Sequence, residues 1–239
     1  MDLRSRLRSR LKDARKRRAI WARAFDSIRP IATASGRGQL WTRMAHGRAL
    51  HQTTPYTEEE RYPELFDLAA RLRPDARRIL SFGCSTGEEL VALRRRFPDA
   101  VIVGAEINPR SRRMATRRCA ADSGIRVVRP SAIAGSFDLV FALAVLQREP
   151  HTIAEMEVED LSVHYPFERF DGAVRELVGG LRRGGLLCVI HAHYPIEVAT
   201  AFADLEPVRD SPLMQEPLFG PDGRRLSGAV ARTIFQNRG

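Results

Sequence analysis

From residue 57 onward, short apolar runs alternate with stretches whose apolar positions recur every three or four residues. The runs 79–82, 100–105, 125–128, 137–143 and 186–191 have the length and composition of buried strands. The periodic stretches 88–97, 109–123 and 167–181 predict helices. Pro98 stops the first, Pro109 opens the second and Gly124 closes it. Ahead of them, Thr57 and Glu60 form a capping box for a helix that presents Tyr62, Leu65, Phe66, Leu68 and Leu72 on one face and ends at Pro74. Residues 146–165 are polar and read as irregular, broken by Pro150. A short helix near 196–202 and strands near 206–209 and 229–235 complete the pattern. This alternation implies a Rossmann-like, doubly wound α/β fold with a mostly parallel seven-stranded sheet. The last two strands are separated by the turn Gly220-Pro221-Asp222-Gly223 and no helix, so the last strand is expected to run antiparallel.

The first fifty residues follow a different pattern. Leu3, Leu7, Leu11, Ala14, Trp21, Phe25 and Ile28 share one helical stripe, interrupted at Arg17 and Arg18. The chain therefore divides into a basic amphipathic helical extension and linker, 1–50, and a domain, 51–239. The net charge of +10 belongs to the extension, because residues 1–30 hold 11 basic and three acidic side chains and the body is near neutral. Such an arm suits an anionic membrane surface, a nucleic acid or a partner subunit, or is a loosely held extension without a ligand. A near-neutral body lacks a broad phosphate-binding face, which argues against nucleic acid. No apolar run reaches the roughly 18 residues of a membrane span, and no apolar signal region opens the chain. A cytoplasmic location, at most peripheral to the membrane, is the expectation. Cys84, Cys119 and Cys188 are widely separated, which fits a reduced compartment and speaks against a disulfide framework or a metal knuckle.

Candidate chemistry gathers where the first strand gives way to a small-residue turn, 83–87, and then a helix. Glycines at both ends of the turn let a ligand approach the backbone, and the first N–H groups of the helix lack intrahelical partners. A phosphate-binding loop needs a lysine after the second glycine, and none follows Gly87. A dinucleotide fold needs G-x-G-x-x-G, whereas Gly83 and Gly87 are spaced G-x-x-x-G. Glu88 and Glu89 would also repel a pyrophosphate at the helix start. These residues suit a ligand that brings a cation and an amino-acid group.

The run Gly83-Cys84-Ser85-Thr86-Gly87-Glu88-Glu89 resembles the first motif of class I S-adenosylmethionine-dependent methyltransferases, in wording similar to the chemotaxis-receptor methyltransferases. Three further matches follow in order. Residues 101–109, with Glu106, resemble the second strand and its terminal acid. Residues 137–146 resemble the fourth strand and its loop, and 181–187 the glycine turn into the fifth. The resemblance spans about 51–239 and implies S-adenosyl-L-methionine as cofactor. It implies that Gly83, Cys84, Ser85 and Gly87 cradle the amino-acid end and that Glu106, beside Ile107, accepts both ribose hydroxyls. Ser131 and Ala132 then stand by the adenine, and Ala142 by the strand-four edge. A single carboxylate at a strand end matches two vicinal hydroxyls well.

Several positions depart from the family pattern. Ser81 stands where an acid often precedes the first glycine, and Ser131 and Ala132 where an acid often meets the adenine amino group. Leu90 replaces the proline of the chemotaxis enzymes, whose helical N-terminal domain is also missing, so receptor methylation is not implied. No Asn-Pro-Pro-Tyr or Asp-Pro-Pro-Tyr follows strand four, which disfavours methylation of nucleic-acid bases. A small molecule, lipid or saccharide remains as acceptor, free or membrane-associated. Candidate acceptor-side or lid residues are Tyr56, Tyr62, Gln147, His151, His191 and Tyr194, with His193 as candidate general base. His191 and His193 also form an H-x-H pair, but no carboxylate stands at ligand spacing and no metal is expected. The alternative to an enzyme is a non-catalytic module of the same fold that acts through its basic arm.

Overall fold

The computed structural model describes residues 61–239. The arm, the boundary between 50 and 51, the capping box and Tyr56 lie outside the described residues. Ten-residue helix α1 (Pro63–Leu72) comes first, then β1 (Arg78–Phe82), α2 (Glu88–Arg96), β2 (Val101–Ala105), α3 (Pro109–Arg118) and β3 (Ile125–Val128). After them come β4 (Phe137–Leu143), α4 (Pro150–Glu155), α5 (Phe167–Gly179), β5 (Leu181–Ile190) and β6 (Leu205–Pro207). Four two-residue strands, β7 (Leu213–Met214), β8 (Leu218–Phe219), β9 (Arg225–Leu226) and β10 (Ala231–Arg232), lead to β11 (Ile234–Asn237).

Seven strands form one sheet in the order β3-β2-β1-β4-β5-β11-β6. β1 to β5 pair in parallel, while β11 runs antiparallel to both β5 and β6. The side-chain period of two divides each strand between two cores. Ile79, Ile102, Leu139, Phe141, Leu186 and Cys188 pack with Leu65, Phe66, Leu90, Leu93 and Ala115 from α1, α2 and α3. Their neighbours Leu80, Val103, Val140, Ala142, Leu187 and Val189 pack with Phe170, Val174 and Leu177 of α5. Both faces of the sheet are thus covered, which is why the central strands read as continuous apolar runs. Among the described residues no helix is long and apolar enough to cross a membrane.

The architecture is the expected one, with corrections at several boundaries. The first described helix begins at Pro63, where proline fits the first helical position and lacks an N–H to satisfy. Pro150 likewise opens α4 inside the segment expected to be irregular. The second predicted helix stops at Arg118, five residues early, where Asp122 accepts the Gly124 N–H and pairs with Arg94 to shape a turn instead. β5 extends back to Leu181 through Gly184 and Gly185, since its start still pairs with Phe137 across a register shift. The 220–223 turn joins β8 to β9, and the predicted last strand is divided at Thr233 into β10 and β11.

Candidate active site

The carboxyl ends of β1, β2, β4 and β5 carry the site, as expected of a doubly wound sheet. After β1 the chain turns back on β2, with the Gly83 and Cys84 N–H groups both donating to the Ala105 carbonyl at 2.8 and 3.1 Å. Gly83, Ser85 and Gly87 all have positive φ, at 84°, 49° and 93°. The glycines are also required for space. A Cβ on Gly83 would lie 2.7 Å from Cγ2 of Val145, and one on Gly87 would lie 3.0 Å from the Ala115 backbone in α3. The turn is therefore held between the end of β4 and the face of α3.

Glu106 follows β2 and is 8% exposed. The Ser85 N–H donates to its Oε2 at 2.9 Å and the Asn108 N–H to its Oε1 at 2.6 Å. One carboxylate thereby ties the turn to the exit of the second strand, and each oxygen keeps a lone pair for a further donor. Burial raises the Glu106 carboxyl above its ordinary value, although the Asn108 and Ser85 N–H groups oppose the rise.

The two acids of the turn diverge. Glu88 accepts from the Thr86 hydroxyl and pairs with Arg118 of α3. Glu89 is half-buried, but its Oε1 is shielded from water and has no hydrogen-bond partner among the described residues. Burial pushes its carboxyl up to about 7, against the Ser81 hydroxyl and Arg61, which favour the charged form. The sequence offered Glu89 only as an argument against phosphate. It supplies a carboxylate next to the position where the family acid is replaced by Ser81.

This shift sets the sign of a pH effect. A carboxyl whose folded value lies above its unfolded one takes up a proton on folding between about pH 4.5 and 7. Stability should therefore fall as pH rises through that window. Glu89→Gln should remove the slope and stabilise the ligand-free protein at pH 8 by the order of 1–2 kcal/mol. Urea midpoints at pH 5 and 8 measure this, and an unchanged pH slope in the variant would assign it elsewhere.

The remaining expected site residues are placed as follows. The Cys84 side chain is buried behind the turn against Gly104, so only its backbone faces the site side. Ile107 is half-buried beside Glu106, and Ser131 and Ala132 are exposed in a short turn after β3. Ala142 is fully buried within β4; the part of this segment that reaches the turn is Val145. Gln147 is buried close behind, and the backbone of His151 lies in α4.

One expected acceptor-side residue, Tyr194, and the expected general base, His193, are placed as structural residues. Tyr194 is fully buried among Phe167, Phe170 and Tyr165, and its hydroxyl donates to the Tyr165 carbonyl. It is a core residue, not part of a lid. His193 is 5% exposed, packed edge-on against Tyr165 and Phe219, with Nε2 2.9 Å from the Arg148 carbonyl. That nitrogen must be the donor, and burial lowers the ring's pKa although the carbonyl works against it. The neutral ring braces the loop after β4 instead of facing an acceptor.

His191 and Tyr62 are different. His191 leaves β5 with φ of 57°, and its Nδ1 lies 2.8 Å from Oε2 of Glu216, a residue no sequence motif marked. The Tyr62 ring stands 5.9 Å from the His191 ring, and its buried hydroxyl has no hydrogen-bond partner among the described residues. Burial raises the Tyr62 phenol to about 12, a rise that Arg61 opposes and Glu89 and Glu216 reinforce. Tyr62 therefore lies within electrostatic reach of both carboxylates. Among the described residues, no three His, Cys, Asp or Glu side chains are grouped as a metal site.

Residues 56–158 match the model of a methyltransferase domain family. The match covers a little under half of the chain, and the sheet order with its reversed strand is that of the Rossmann-like methyltransferase fold. Solved structures of similar fold include the S-adenosylmethionine-bound amino pentose methyltransferase CalS10 of Micromonospora echinaspora, at 19% identity and a TM-score of 0.44. That comparison covers 76% of this chain, which spans only 64% of CalS10. The N-methyltransferase NodS of Bradyrhizobium japonicum matches at 19% identity over 74% of this chain and 96% of its own, with a TM-score of 0.45. TehB of Haemophilus influenzae matches at 12% identity over 84% of this chain and 67% of its own, with a TM-score of 0.48. No curated protein matches the chain in sequence.

Proposed function

We propose that the protein transfers a methyl group from S-adenosyl-L-methionine to a small-molecule, lipid or saccharide acceptor. The observation that carries this reading is Glu106, buried at the end of β2 with one backbone N–H on each oxygen and a free lone pair beside each. That arrangement suits a pair of vicinal hydroxyls and gives a phosphate nothing. The orphaned polar atoms of the turn fit the other end of the same molecule. Among the described residues, Ser85 Oγ and Glu89 Oε1 are buried without hydrogen-bond partners, and the positive φ of Gly83, Ser85 and Gly87 shapes the turn around that end. Glu89 would face the α-ammonium, and the Ser85 hydroxyl is free to donate to the carboxylate.

When bound, the cofactor supplies an electrophilic methyl on a sulfonium. The chain's own contribution is then to align the acceptor and keep water out. Tyr62 lies beside His191 at the end of β5, and Val145 lies against Gly83 of the turn. The acceptor class rests on the near-neutral body and the lack of a base-methylation tetrapeptide after β4. Tritium transfer from labelled cofactor into the small-molecule and lipid fractions of a cell extract tests the reading. Label appearing only in nucleic acid or protein would refute the acceptor class. Transfer into any fraction would rule out the non-catalytic module.

A further inference from the structure

We infer that His191, oriented by Glu216, is the general base of this site, and that the acceptor's nucleophilic atom therefore carries a proton that must be removed. The inference rests on the methyl-transfer reading and deepens it. His191 sits at the carboxyl end of β5, two strands from β1, which is about 10 Å across the sheet edge. That gap holds a sulfonium-bearing ligand on the turn and an acceptor between it and the ring. Tyr62 lines the gap, since its ring meets His191 while its phenol feels Glu89 of the turn.

The geometry of the pair defines the chemistry. Glu216 can only accept, so the neutral imidazole carries its proton on Nδ1 and leaves Nε2 with a lone pair. His191 Nε2 has no hydrogen-bond partner among the described residues, in contrast to His193, whose Nε2 is committed to a carbonyl. The His191 side chain is 29% exposed and that of Glu216 is 14% exposed. The ring is thus open on one edge and anchored on the other. The left-handed backbone at His191, unusual for a residue with a side chain, holds that orientation. Besides Glu216, the charged or titratable groups near the ring among the described residues are Tyr62, Tyr194 and Arg232 of β10, which pairs with Glu197.

The acceptor's X–H proton passes to Nε2 as the X lone pair forms the X–CH3 bond. The S–CH3 bonding pair returns to sulfur, giving a neutral thioether. Glu216 stabilises the imidazolium until solvent takes the proton. An acceptor carboxylate has no proton to lose, so the dyad points to a hydroxyl or a neutral amine instead.

Two readouts test this on the full-length protein. Nitrogen-15 imidazole shifts, assigned with His191→Gln, should show His191 as the Nδ1–H tautomer, which Glu216→Gln should convert to a mixture or to Nε2–H. Tritium transfer to the extract's small-molecule and lipid fractions should fall by about 100-fold or more in His191→Gln. Calorimetric binding of S-adenosylhomocysteine should stay within about twofold in both variants. An Nε2–H tautomer in the wild type, or transfer retained in His191→Gln, would overturn the role of His191 while leaving the methyl-transfer reading intact. Loss of S-adenosylhomocysteine binding in the wild type itself would instead refute that reading.

Discussion

Truncating Asp138 to alanine is expected to destabilise the domain by about 3–5 kcal/mol, more than any other single carboxylate described here. Asp138 is the second residue of β4, and its Oδ2 accepts the N–H groups of Arg77 and Arg78 at 2.8 and 2.9 Å. Its Oδ1 accepts from Arg182 at the start of β5. A single side chain therefore ties the beginnings of three neighbouring strands, and alanine would leave two backbone donors and a cation without their partner. Urea unfolding should show a lower midpoint with an unchanged slope. Burial favours the neutral acid, but the two N–H groups and Arg182 together outweigh it and pull the carboxyl below its ordinary value. The sign follows from linkage. Its contribution is complete above the ordinary carboxylate range and fades as pH falls below about 4. The gap between wild type and Asp138→Ala should therefore narrow in acid, and a constant gap would mean that ionisation is irrelevant.

Glu106→Ala should weaken S-adenosylhomocysteine binding by about 1–3 kcal/mol, roughly 5- to 150-fold. The loss has two origins. The ribose would lose its acceptor, and the Ser85 N–H would lose the carboxylate that holds the turn in its left-handed conformation. Glu106→Gln separates them, because it keeps the volume and one acceptor oxygen. An intermediate loss is expected from it.

Much of the sheet was legible because its strands are buried on both faces and bounded by prolines and glycines. Runs 125–128 and 137–143 matched to the residue, since each is mostly apolar (only Arg126 and Asp138 interrupt them) and each is entered from a turn. Prolines were the weaker guide where they sit at a helix start, as at Pro63 and Pro150, because the same residue both opens and breaks helices. The turn and Glu106 were legible through local spacing, which survives without a tertiary structure. The dyad was not, since His191 and Glu216 are 25 residues apart and are joined only by the fold. His193 read as the better base because exposure cannot be counted along a strand end; in space it faces the aromatic core and its neighbour two positions back does not. Glu89 was visible by identity but not by role, because its lack of a partner is a property of packing.

The central claim is that the turn and Glu106 form one cofactor site. Isothermal titration of the wild type with S-adenosylhomocysteine, run beside Glu106→Ala, tests it most directly. One saturable site per chain, weakened in the variant, is the expected result. A wild type that gives neither heat nor a thermal shift, or a variant that binds equally well, would contradict it.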